Sequence, residues 1–175
     1  MKHSKHVLVA LVAVFAVSAA SAQSMNTDSG YYGEIGYLAL KFKDEEGGTA
    51  TPKLARFVVG KELDKNLAVE VMYANTVSKD SDNLGESYKG QTFGLYLKPK
   101  TEVAVGTEVF ARVGVAKRTL TFNDGTDASA TKLAYGIGIQ TQFTKDVYGQ
   151  LDYMDLGKKD GISAKGFTIS VGTRF

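Results

Sequence analysis

The feature that most constrains this chain is an alternation of period two that keeps one parity across eight separate segments. Apolar side chains stand at odd positions. Ile35, Tyr37 and Ala39 begin the series, followed by Ala55, Phe57 and Val59, then Leu67, Val69, Val71 and Tyr73. Phe93, Leu95 and Leu97 continue it, as do Val105, Val109, Ala111, Val113 and Val115. Leu133, Tyr135, Ile137, Ile139 and Phe143 lead on to Leu151, Tyr153 and a final run of Phe167, Ile169, Val171 and Phe175. Even positions carry Glu34, Arg56, Glu70, Lys98, Glu108, Arg112, Gln140, Gln150, Asp152 and Arg174, interspersed with glycines. A period of two is the pattern of strands with unlike faces. It predicts strands over Tyr31–Phe42, Lys53–Glu62, Leu67–Thr76, Gly90–Lys98, Val103–Arg118, Lys132–Phe143, Val147–Asp155 and Lys165–Phe175.

The connections alternate in length. Leu63–Asn66, Pro99–Glu102 and Thr144–Asp146 read as tight turns. "KDEEGGTATP", "VSKDSDNLGESYK", "TLTFNDGTDASAT" and "LGKKDGISA" read as longer loops, rich in residues that favour turns. In an up-and-down barrel, all short turns then lie at one end and all long loops at the other. An even strand count puts both chain termini at the short-turn end.

Residues 1–22 read as a secretory signal peptide. Lys2 and Lys5 precede an apolar run from Val7 to Val17, and Ala20-Ser21-Ala22 supplies a small-residue cleavage site. The alternative, a buried N-terminal helix, would not need all three regions in that order. Residues 23–175 form one domain, in which 21 − 2 = 19 basic residues face 19 acidic ones. A neutral chain gives no basis for nucleic-acid binding. Cysteine is absent, so an exported chain must hold together by burial and hydrogen bonding. After Gln23 no apolar run approaches the roughly 20 residues of a spanning helix. Any membrane crossing is therefore by strands.

Alternation alone leaves open a soluble barrel with its apolar face inward. Three features favour the inverse arrangement. Odd-face aromatics mark both strand ends: Tyr73, Phe93, Tyr135, Tyr153 and Phe167 on the long-loop side, Tyr31, Phe143 and Phe175 on the other. Such girdles belong to barrels that span lipid. Glycines on the even face make room in a narrow eight-stranded interior. The signal peptide delivers the chain to the export compartment. The fold predicted is all-β, an eight-stranded antiparallel up-and-down transmembrane β-barrel. The chain resembles the small bacterial outer-membrane barrels of the OmpA, OmpX and opacity type, through its architecture and the terminal strand Phe167, Ile169, Val171 and Phe175. Thr173 departs from that family's pattern, where a large residue is usual. The resemblance implies a bacterial outer-membrane location, contact with outer-membrane lipid, and recognition of that strand by the barrel-assembly machinery.

Catalytic chemistry is poorly provided for. The only histidines, His3 and His6, lie in the signal segment, so no Ser-His pair is available after it. Glu34, Glu70, Glu108 and Asp152 are predicted to face the lumen beside Arg56, Arg112 and Arg174, as mutually neutralising pairs. Asp80-Ser81-Asp82-Asn83 lacks the spacing of a calcium loop. Gly136-Ile137-Gly138 sits mid-strand with no helix behind it, so it is no phosphate cradle. No catalytic residue, metal or cofactor is expected. The function implied is non-enzymatic: structural, or surface interaction with a partner through four exposed loops, by a monomer. The alternatives are a narrow channel for small solutes and a soluble periplasmic binding barrel.

Overall fold

The computed structural model describes residues 30–43, 49–78, 89–121, 127–159 and 162–175. The proposed signal peptide and the Asp80–Asn83 segment lie outside them. Among the described residues eight long strands form the wall: β1 (Tyr31–Lys43), β2 (Lys53–Asp64), β3 (Leu67–Ser78), β4 (Lys89–Ala104), β5 (Thr107–Thr121), β6 (Asp127–Gln142), β7 (Val147–Lys159) and β8 (Ile162–Arg174). A two-residue segment, Thr49–Ala50, pairs with the end of β1. Each strand runs antiparallel to its sequence neighbours, and β8 returns to β1, with Tyr32 opposite Arg174 at one end and Lys43 opposite Ser163 at the other. The sheet closes, so neither terminal strand presents an open edge. Phe175 extends the seam, its amide donating to the Tyr31 carbonyl at 3.0 Å.

The parity rule holds around the wall. Every large apolar side chain on the exposed face is at an odd position, with Ile35, Phe93, Ile137, Phe143 and Ile169 among the most exposed. The even face is buried. A soluble barrel would show the opposite distribution, so this alternative is excluded by the exposures themselves. Tyr153 and Phe167 pack against each other on the outward surface, their rings tilted by 52° with centroids 4.6 Å apart.

The structure corrects several boundaries. The turn expected at Pro99–Glu102 is strand. Leu67 pairs with Pro99 and Lys100 pairs with Phe110, so β4 continues to Ala104. The reversal occurs at Val105-Gly106, where Gly106 has φ 71°, a conformation glycine adopts without penalty. Val105, expected within a strand, stands fully exposed at that tip. The third and fourth long loops are also shorter than expected. Thr119 pairs with Ser129 and Thr121 with Asp127, so β-prone Thr-rich segments extend the hairpin past the apolar alternation. Between β7 and β8 the ladder shifts after Asp155 and resumes at Lys158 opposite Ser163. Gly157 absorbs the shift at φ 81°, with its amide held by the Asp155 carboxylate at 2.8 Å.

Candidate functional site

The inward face is organised in layers along the barrel. Towards the long-connection end an apolar cluster fills the interior, including Leu38, Leu40, Leu54, Met72, Tyr96, Met154 and Leu156. Below it lies a buried charged layer, and at the short-turn mouth a second, more exposed polar layer.

The charged layer joins Glu34 from β1, Glu70 from β3 and Asp152 from β7 to Arg56 from β2, Lys98 from β4 and Arg112 from β5. All six are buried. Arg112 is the hub. Its Nε donates to Glu70 Oε2 at 2.5 Å, Nη1 to Asp152 Oδ1 at 3.1 Å, and Nη2 to Glu34 Oε2 at 3.1 Å. Arg56 meets Asp152 with both terminal nitrogens, at 2.8 and 2.6 Å, and Nη2 also donates to Ser170 at 2.9 Å. Lys98 lies 3.3 Å from Glu34 and from Glu70, and donates to the amide oxygens of Gln140 and Gln150 at 3.0 and 3.1 Å. Three carboxylates thus face three cations, which is the balance that burial demands.

Two tyrosines complete the carboxylates' shells. Tyr32 donates to Glu70 at 2.7 Å, and Tyr148 to Glu34 at 3.0 Å. The rings meet edge to face at 6.4 Å. Each ring lies across a glycine on the neighbouring strand. A Cβ at Gly60 would fall 2.1 Å from Tyr32, and one at Gly172 would fall 2.3 Å from Tyr148. The even-face glycines at these two positions are therefore space for the rings.

Of the six lumen residues anticipated from sequence, Glu34, Arg56, Glu70, Arg112 and Asp152 share the buried layer. Glu108 does not. It sits half-buried in the mouth layer, where Lys100 reaches it at 3.3 Å and Glu62 at 2.8 Å, and Arg174 reaches it at 3.5 Å. Gln140 bridges the layers, accepting from Lys98 and donating to Glu108 at 2.5 Å. The mouth opens into a cavity of about 420 Å³ lined by Glu62, Lys100, Glu108 and Arg174 among others. Lys98, Tyr32 and Tyr148 were missing from the anticipated network. The charge count was the signal available. Even with Arg174, predicted beside them, the anticipated residues carry four carboxylates against three guanidiniums, and a buried layer cannot hold that imbalance.

The four residues anticipated as an assembly signal are on β8 or directly after it. Phe167, Ile169 and Val171 project outward and are exposed, opposite Ala39, Tyr37 and Ile35 on β1. Phe175 follows the strand's last residue.

Solved structures share this architecture. Neisserial surface protein A superposes with a TM-score of 0.64 at 17% identity, covering 84% of this chain and 98% of that one. Ail, the attachment invasion locus protein of Yersinia pestis, solved with the heparin analogue sucrose octasulfate, gives 0.64 at 18% identity over 83% of this chain and 97% of its own. The outer membrane protein OprG from Pseudomonas aeruginosa gives 0.59 at 12% identity over 84% and 96%. Identities this low speak for the fold alone. No curated protein matches by sequence. Residues 7–175 do match a defined family, and by that match, over a closed barrel with an apolar exterior and a charged interior, the chain belongs to the outer membrane protein beta-barrel domain family.

Proposed function

We propose that this chain is a closed, non-enzymatic barrel of the bacterial outer membrane that holds its longer connections at the cell surface for structural or adhesive contact. The observation that carries this reading is the filled interior. A charge-balanced layer centred on Arg112 spans five strands besides its own, and an apolar cluster lies above it. An eight-stranded interior is only wide enough for its own side chains. Such a barrel serves as a rigid anchor, and specificity resides in the segments it displays. Neisserial surface protein A and Ail are surface and attachment proteins by name, which agrees with a role of this kind.

The exterior supports direct contact with outer-membrane lipid. β8 and Phe175 serve as the element recognised by the barrel-assembly machinery, and the closed sheet suits a monomer. Single-channel recording in planar bilayers tests the lumen: the wild-type protein is expected to be silent. Stable openings would overturn the closed-barrel reading in favour of a narrow channel. Deletion of each long connection in turn, scored by binding of intact cells to host or abiotic surfaces, tests the display role. Unchanged binding after every deletion would remove it.

A further inference from the structure

The outward face carries a charge pattern that the lumen does not use. Lys41 on β1 stands directly opposite Lys165 on β8. Like charges in directly opposed positions destabilise an antiparallel pair. Lys43 is opposite Ser163, diagonal to Lys165, and Lys53 on β2 is opposite Ala39, diagonal to Lys41. All four occupy odd positions and point outward, and all are exposed.

Asp155 is the carboxylate of this row, opposite Lys165 on the other side. It already accepts from Lys165 at 2.9 Å, from the Tyr135 hydroxyl at 3.2 Å and from the Gly157 amide at 2.8 Å. Among the described residues Lys41, Lys43 and Lys53 have no carboxylate partner. The opposite rim differs: Lys61, its outward strand lysine, lies over the Tyr31 ring at 4.9 Å.

The position of the patch identifies its ligand. One step towards the barrel middle, the same row continues as Tyr153, Phe167 and Ala39. Exposed aromatics of this kind mark the membrane interface. Lys41 and Lys43 therefore stand at the level of lipid headgroups, with Lys53 beside the aromatic row and apolar surface beneath it for acyl chains. We propose that the seam formed by β8, β1 and β2 binds the phosphate of an anionic membrane lipid in the leaflet at the long-connection end, held by Lys41, Lys43 and Lys53. A lipid satisfies both halves of the surface, whereas a free phosphate would use only the charges. Asp44, Glu45 and Glu46 follow Lys43 in sequence and lie outside the described residues. Wild-type protein with no preference for phosphatidylglycerol over phosphatidylcholine would overturn the proposal.

The full chain, folded in detergent, would be titrated with phosphatidylglycerol and with phosphatidylcholine and read by native mass spectrometry. Wild type should retain phosphatidylglycerol preferentially. A lysine near an anionic headgroup contributes about 1 kcal/mol, so Lys41→Gln with Lys53→Gln should weaken retention roughly 30-fold. Lys41→Arg with Lys53→Arg keeps both charges and should retain the lipid. Heat-modifiable gel mobility would establish that each variant is folded. Equal retention by wild type and the glutamine variant would overturn the proposal. Loss in the arginine variant as well would also overturn it, by showing that shape and not charge matters. Displacement of phosphatidylglycerol by inorganic phosphate would reassign the patch as a free-anion site.

Discussion

Arg112→Met tests whether the interior is a dry, balanced network. The substitution keeps a long side chain but removes one of three cations. Glu70 then loses its 2.5 Å donor, and Glu34 and Asp152 each lose a bond of 3.1 Å. Lys98, at 3.3 Å from Glu34 and Glu70, and Arg56, at 2.6 Å from Asp152, cannot neutralise three carboxylates. Removing one partner of a buried ion pair typically costs about 3–5 kcal/mol. Glu70→Gln alone should cost a similar amount, because it strands a cation. The double variant restores the balance, with Glu34 and Asp152 facing Arg56 and Lys98. Its cost should fall well below the sum of the two, giving a coupling energy of about 2–3 kcal/mol. Reversible urea unfolding in lipid vesicles, followed by far-UV circular dichroism, measures all four corners of the cycle. Additive costs, or a cost below about 1 kcal/mol for Arg112→Met, would refute the dry network and show that water screens these charges.

Arginine on the outward face at the membrane midplane costs roughly 2–4 kcal/mol. Ile137→Arg, Val71→Arg and Val113→Arg should therefore lower the unfolding midpoint in vesicles, while Met72→Leu on the inner face should change it little. Gln140→Glu, also on the inner face, should destabilise, because the Gln140 amide donates to Glu108 at 2.5 Å and a carboxylate there would be repelled by it. Gly172→Ala should displace the Tyr148 ring, which a Cβ would approach to 2.3 Å, and break the hydroxyl bond to Glu34. Overpacking of this kind costs about 1–3 kcal/mol, readable as a lower urea midpoint. Deleting Phe175 should reduce the folded, heat-modifiable band in outer-membrane fractions more than it lowers the stability of protein refolded in vitro. An unchanged band would count against β8 as an assembly signal.

How much of this was legible in the sequence follows from what each residue type must do. The parity of the wall could be read directly, because a one-residue slip would expose every charge to the apolar surroundings. The apolar exterior, the closing strand and the buried Glu34, Arg56, Glu70, Arg112 and Asp152 all follow from that parity. Asp155 shows where the rule ends. It is an odd-numbered acid, yet buried, because the outward Lys165 and Tyr135 side chains and the Gly157 amide at the register shift all converge on its carboxylate. Nothing in the local alternation signals such a shift except the glycine itself.

Pro99 explains the remaining errors together. A proline followed by polar residues reads as a turn, since it has no amide hydrogen for the ladder. Here the ladder continues past it, and the next amide, that of Lys100, bonds the Asn66 carbonyl at 2.8 Å. Ending the strand at Lys98 has two consequences in the sequence reading. Lys98 becomes the last even-face residue of its strand, and the anticipated ion-pair network leaves it out. Lys100 becomes part of the turn, with no side to face. Continuing the strand to Ala104 sends both inward, two residues apart on the same face. Lys98 then supplies the third cation of the buried layer, and Lys100 joins Glu62 and Glu108 at the mouth. One misplaced turn therefore hid one cation from each polar layer. Restoring the strand balances the buried layer once Glu108 is placed with Lys100 at the mouth.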